Sequence, residues 1–162
     1  MKQNICVIGL NNDYVANIGK AIADAFEMYF ADITELIKFE LMDVEYARAL
    51  CGEDYIHKVE RSKVKAVSGF ENTLFTMDYS LLNDEVNYEK TKHNAYVIYL
   101  KLGKVELEKL VDSMKNPSPL IYDVYEFRNN LCEKYSDFMI ECDGKNVKRI
   151  IKEVSDKFLQ LD

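Results

Sequence analysis

The sequence predicts a three-layer α/β/α domain built on a parallel sheet of about five strands. Three observations lead there. Short unbroken apolar runs, such as Ile5-Cys6-Val7-Ile8 and Tyr96-Val97-Ile98-Tyr99-Leu100, alternate with stretches whose apolar residues fall three and four positions apart. Strands that are apolar throughout belong to parallel sheets covered on both faces, because a strand with one wet face alternates instead. The chain has 162 residues, 48% of them hydrophobic, with no repeat, low-complexity segment or linker-like shift. Residues 1–162 therefore read as one domain with one core.

Taken in order, Ile5–Ile8 is a buried strand bounded by Gly9. A helix follows from Asn17 to Tyr29, with Ile18, Ala21, Ile22, Ala25 and Phe26 on one face. Tyr29–Asp32 reads as a short second strand and Glu35–Phe39 as helical. Val44–Ala66 reads as helical with a break at Gly52, and Asn72–Met77 as a third strand. Tyr96–Leu100, β-branched and aromatic, is the clearest strand, followed by a helix over Val105–Met114. The prolyl stretch Lys115–Pro119 is a loop. A helix over Tyr122–Tyr135, a strand over Phe138–Glu141, a turn at Asp143-Gly144 and a last helix over Asn146–Leu159 complete the chain.

Composition excludes several functions. With 21 basic and 28 acidic residues the net charge is −7, only four residues are arginine, and no basic run exists. A nucleic-acid binder needs a clustered positive field, so no such partner is expected. No apolar run is long enough to span a membrane, and Met1-Lys2-Gln3-Asn4 leads directly into the first strand rather than into a signal segment. A cytoplasmic protein without a membrane partner is expected. Cys6, Cys51, Cys132 and Cys142 form no CxxC pair and read as reduced packing residues. His57 and His93 are too isolated for a metal site.

In open α/β sheets ligands bind beyond the carboxyl ends of the strands, which directs attention to the loop Gly9-Leu10-Asn11-Asn12-Asp13-Tyr14-Val15-Ala16. A GxxxxGK[ST] phosphate loop needs a second glycine, a lysine for the terminal phosphates and a hydroxyl for magnesium. Counted from Gly9, those positions hold Tyr14, Val15 and Ala16. Asp13 adds a negative charge where polyphosphate would lie. Gly19-Lys20-Ala21 is no substitute, since it falls inside the helix, where amides are committed to i−4 carbonyls.

From Asn4 to Phe158 the chain resembles the shikimate kinases, small phosphotransferases of the P-loop, nucleoside-monophosphate-kinase-like fold. The resemblance rests on Asn4–Leu10 with Ile18–Ala23, on Phe30–Ile37, and on Gly52-Glu53 with Glu60. It continues through Asn87, Val97–Leu100, Arg128 with Asp137 nine residues on, and Asp143–Val147. It implies a vestigial nucleotide loop at Gly9, Asn12, Asp13, Tyr14, Val15 and Ala16. It places the magnesium-associated aspartate on Asp32, a substrate-gripping aspartate on Thr34, and one carboxylate-binding arginine on His57. A neutral histidine is a weaker anion partner than an arginine fork. The family's three glycines beside the substrate ring fall on Met77-Asp78-Tyr79, and its lid arginine on or near Ser118. Arg128 keeps the position of the second carboxylate-binding arginine.

Each of these residues also has a plain structural reading. Asp32 is a helix cap or turn residue, Thr34 an N-cap, and His57 an exposed helix residue. Arg128 either binds a carboxylate through a bidentate contact or pairs with Glu126 or Asp123 on its own helix. Tyr14, Tyr79 and Tyr122 either pack in core and rim or converge as an aromatic plug. Phosphoryl transfer relies on positioning and on neutralising phosphate charge. The reading is therefore a shikimate-kinase-like pseudoenzyme with a small-carboxylate or protein-binding role, and with no cofactor. The alternative is an active ATP:shikimate 3-phosphotransferase with a divergent loop. Only then would magnesium and ATP be cofactors, with Asp32 as catalytic and metal-associated residue.

Overall fold

The computed structural model describes residues 2–161. Five strands are present: β1 (Asn4–Ile8), β2 (Tyr29–Asp32), β3 (Thr73–Thr76), β4 (Ala95–Lys101) and β5 (Phe138–Glu141). All pair in parallel in the order β2-β3-β1-β4-β5. Side chains alternate across the pleat, so each strand feeds two cores. Cys6, Ile8, Phe75, Val97 and Tyr99 face one side. There they meet α2 (Ile33–Leu41), α4 (Glu53–Ser68) and α7 (Ile121–Tyr135). Ile5, Val7, Leu74, Ile98, Leu100 and Ile140 face the other side, against α1 (Asn12–Ala25) and α8 (Val147–Leu159). The expected three layers and five parallel strands are thus observed. No helix among the described residues is long and apolar enough to cross a membrane.

The remaining helices are α3 (Val44–Cys51), α5 (Glu85–Asn94) and α6 (Lys104–Asp112). Gly52, at φ 80°, separates α3 from α4, as the break in the apolar period suggested. The helix α5 has no counterpart in the sequence reading. Its buried residues are the polar Asn87 and Thr91, so it carries no apolar stripe to detect. It is fixed instead by its cap, with Asp84 accepting from the Val86 and Asn87 amides, and by Asn87 Nδ2 donating to the Leu81 carbonyl at 3.1 Å.

A larger correction concerns α1. The expected start was Asn17, but the helix begins at Asn12, because Asn11 is its N-cap and accepts from the Tyr14 amide at 3.1 Å. Only Gly9, Leu10 and Asn11 separate β1 from α1. Gly9 allows close approach here: a Cβ on it would lie 2.6 Å from Val15 Cγ2. Further along α1, a Cβ on Gly19 would lie 2.6 Å from Thr76 Cγ2, so this buried glycine lets the helix seat against β3. Cys6, Cys132 and Cys142 are buried free thiols and Cys51 is exposed. Burial pushes the Cys132 thiol up to about 12.

Candidate functional site

Connections from β1 and β3 leave in opposite directions, so the crevice outside their carboxyl ends is the topological switch point where such folds bind ligands. One wall is the start of α1. There the positions of the sequence-defined loop from Asn12 to Ala16 are helical, and the Val15 amide donates to the Asn11 carbonyl at 2.9 Å. The Tyr14 and Val15 amides, at positions a phosphate loop would turn toward an anion, are both taken up by Asn11. Val15 is 1% exposed and packs in the core between the sheet and α8. Lys20 is exposed on α1.

Beside α1 lies a cleft of about 390 Å³ lined by Asn12, Asp13, Ala16, Asn17, Asp32, Thr34 and Glu35. The fold therefore brings together Asp32, Thr34 and part of the predicted loop. Asp32 is the N-cap of α2 and accepts from the Glu35 amide at 3.2 Å. Thr34 is not an N-cap, as its plain reading held. It lies within the first turn of α2, and its Oγ1 accepts from the Asp78 amide at 2.8 Å. Desolvation pushes the Asp32 carboxyl above its ordinary 3.8, outweighing the Glu35 and Thr34 amides that pull it down. A carboxyl raised in the folded state costs stability as the charged form. The cost is absent below 3.8 and complete once pH exceeds the folded value. Asp32→Ala is accordingly expected to lose about 1 kcal/mol with the cap. Asp32→Asn should leave stability at pH 7 unchanged or slightly raised. Urea unfolding of the two variants checks this, and equal losses would mean that the charge, not the cap, matters.

His57 lies elsewhere. It is exposed on α4 with Nδ1 3.1 Å from Glu60 Oε2, at a separate cleft shared with Glu60, Ser80, Leu81, Asn83 and Asp84. Nothing joins it to Arg128. Arg48, Arg61 and Arg149 each hold a carboxylate. Arg128 has no such partner among the described residues, so of its two readings the pairing with Glu126 or Asp123 is not observed. Its guanidinium stands 5.9 Å from the Tyr125 ring centroid, one turn back on the same helix.

The three tyrosines do not converge. Tyr14 packs against the α1/α8 core, Tyr79 packs against the opposite core, and Tyr122 is exposed. The residue that sequence reasoning missed is Asp78. It joins α1 to the end of β3 through Asn12 Nδ2, which donates to Asp78 Oδ2 at 2.9 Å. No local signal marks it, because its partners are 66 and 44 residues away in the chain. The early start of α1 did have a signal: Asn11 followed by Asn12-Asp13 is a cap with an acidic first turn.

No protein-family model matches the chain. Among curated proteins, the shikimate kinase of Sulfurihydrogenibium sp. (strain YO3AOP1) is 26% identical over 165 residues, covering 96% of this chain and 97% of that protein. That of Alkaliphilus oremlandii (strain OhILAs) is 26% identical over 166 residues, covering 95% and 98%. The shikimate kinase from Acinetobacter baumannii, solved in complex with shikimate, superposes with a TM-score of 0.80 at 16% identity, covering 100% of this chain and 96% of that one. The chain is a relative of the shikimate kinases. The Aquifex aeolicus shikimate kinase gives a TM-score of 0.77 at 18% identity, covering 97% and 96%, so the likeness of fold spans the domain. In this shikimate kinase relative the cleft beside α1 presents Asp13, Asp32 and Glu35, and Asp78 is tied to the same helix through Asn12.

Proposed function

We propose that this shikimate kinase relative is a cytoplasmic pseudoenzyme: a kinase scaffold without ATP-dependent phosphotransfer, whose crevice keeps a small-ligand or protein-binding role. The observation that carries the reading is the start of α1. Its capping by Asn11 and the burial of Val15 leave neither a loop to wrap phosphates nor a position for a lysine to reach them. Magnesium-nucleotide does not fit the groups present. The hydroxyl position is Ala16, and the adjoining cleft presents Asp13, Asp32 and Glu35 to a ligand that is itself anionic. Since phosphoryl transfer depends on positioning and charge neutralisation, losing these groups together removes most of the acceleration the fold could supply.

Asp32 and Arg128, carried over from the family resemblance, are the surviving parts, Arg128 as contact for a carboxylate and Asp32 chiefly as the cap of α2. Neither Thr34, committed to the Asp78 amide, nor the distant His57 supports substrate binding as strongly. A coupled assay for ADP release in the presence of shikimate, magnesium and ATP tests the reading. No shikimate-dependent release above the enzyme-free control is expected, and turnover would establish the active-kinase alternative instead.

A further inference from the structure

The helices α2 and α3 follow one another with only Met42 and Asp43 between them. On α2 the core face is Ile33, Ile37 and Leu41, which leaves Leu36 and Phe39 on an outer flank. On α3 Val44 and Ala47 pack against the core, and Tyr46 and Leu50, one turn apart, stand on the opposite side. These side chains are large, apolar and in water: Phe39 is 86% exposed, Met42 90%, Tyr46 64%, Leu50 67% and Leu36 40%. Met42 holds a positive φ of 59°, a backbone that favours glycine, yet its side chain touches little of its own protomer. At roughly 200 Å² for a large side chain, the five leave about 700 Å² of mostly apolar surface unburied along one stretch of chain. Single exposed apolar residues are ordinary, but a patch of this size exceeds what monomers usually show.

Charge narrows the choice of occupant. Between Ile33 and Cys51 every charged side chain already has a partner in its own protomer: Lys38 pairs with Glu35, Lys63 reaches Glu40, Arg48 pairs with Glu45, and Asp43 caps the Tyr46 amide. A charged partner would find no ion to pair with there, whereas a second face of the same kind would bury no unpaired charge. A copy of this chain supplies such a face. One face against its like would bury about 1,400 Å² in all, within the range of stable complexes. Aromatic residues and methionine are also enriched in such contacts. We infer that the α2–α3 face is a homodimer interface, packing about a two-fold axis against the same face of a second copy. The cleft beside α1 is lined from the N-terminal end of α2, by Asp32, Thr34 and Glu35, so this inference does not rest on the proposed pseudoenzyme.

Sedimentation velocity of the wild type from about 1 to 200 µM tests it, since an interface of this area holds at micromolar concentrations or tighter. A concentration-dependent shift from one chain to two is expected. Tyr46→Glu and Leu50→Lys each place one charge in the contact. Glutamate suits the first turn of α3 and lysine the last, so neither should disturb the fold. Each should weaken dimerisation about tenfold or more. Leu159→Lys, on the exposed side of α8, is the control and should dimerise like the wild type. Melting curves identify a variant that fails to fold, and the other then reads the same face. The inference is overturned if the wild type stays a single chain at about 200 µM, the result expected of a face that serves a different protein. It is equally overturned if the folded variants dimerise like the wild type. No ligand is present in these runs, so a monomer leaves the pseudoenzyme reading standing, and kinase activity leaves this inference standing.

Discussion

Replacing Val15 with lysine, the residue a phosphate loop would carry there, is expected to destabilise the protein by about 3–5 kcal/mol and to create no nucleotide site. Val15 is 1% exposed, on the second turn's approach to the sheet, and its Cγ2 fills the space beside Gly9 where that residue lacks a Cβ. A lysine would have to bury four methylenes in a space sized for a valine. It would also either carry its charge into the α1/α8 core or give up its proton. Reshaping α1 to turn the side chain outward would break the Asn11 cap and the Val15-to-Asn11 backbone bond. Urea unfolding reads the loss. A Val15→Lys protein within about 1 kcal/mol of wild type would show that position 15 can face the crevice, and would undo the argument made from its burial.

Asn4→Ala should cost about 3 kcal/mol, or a fall of roughly 6–12 °C in Tm for a domain of this size. Asn4 is 3% exposed at the head of β1. Its Nδ2 donates to the Ser68 and Phe70 carbonyls at 3.2 and 2.6 Å, and its Oδ1 accepts from the Thr73 amide at 2.9 Å. One side chain thus satisfies three backbone groups where α4 gives way to β3, and alanine would leave them without partners in a region closed to most water. Asn4→Asp is the sharper control. It keeps the acceptor for Thr73 but turns a charged oxygen toward two carbonyls, so it should be at least as damaging. A loss under about 1 kcal/mol for Asn4→Ala would mean that water replaces the amide there.

These two residues show what could be read in advance. The strands were legible most clearly where they are apolar runs, as in β1 and β4, and β2 and β5 match their expected residues, Tyr29–Asp32 and Phe138–Glu141. The parallel pairing followed from the same runs, since strands buried on both faces need helices on both sides. The start of α1 was not placed, because Asn11-Asn12-Asp13 has loop composition and only its cap geometry makes it helical. The helix α5 escaped because what it buries is Asn87 and Thr91. At the site, residue types at Val15 and Ala16 were informative on their own. By contrast, the roles of Thr34 and Asp78 exist only through bonds between distant segments. Arg128 was placed by resemblance, and its contact with Tyr125 is made three residues apart within α7.

The central claim is that the start of α1 holds no nucleotide, and calorimetric titration of the wild-type protein with Mg-ATP tests it most directly. No saturable heat up to millimolar nucleotide, with or without magnesium, is the predicted result. Magnesium-dependent binding in the micromolar range would contradict the claim, because it would require the capped turn at Asn11–Val15 to open into the loop that this structure closes.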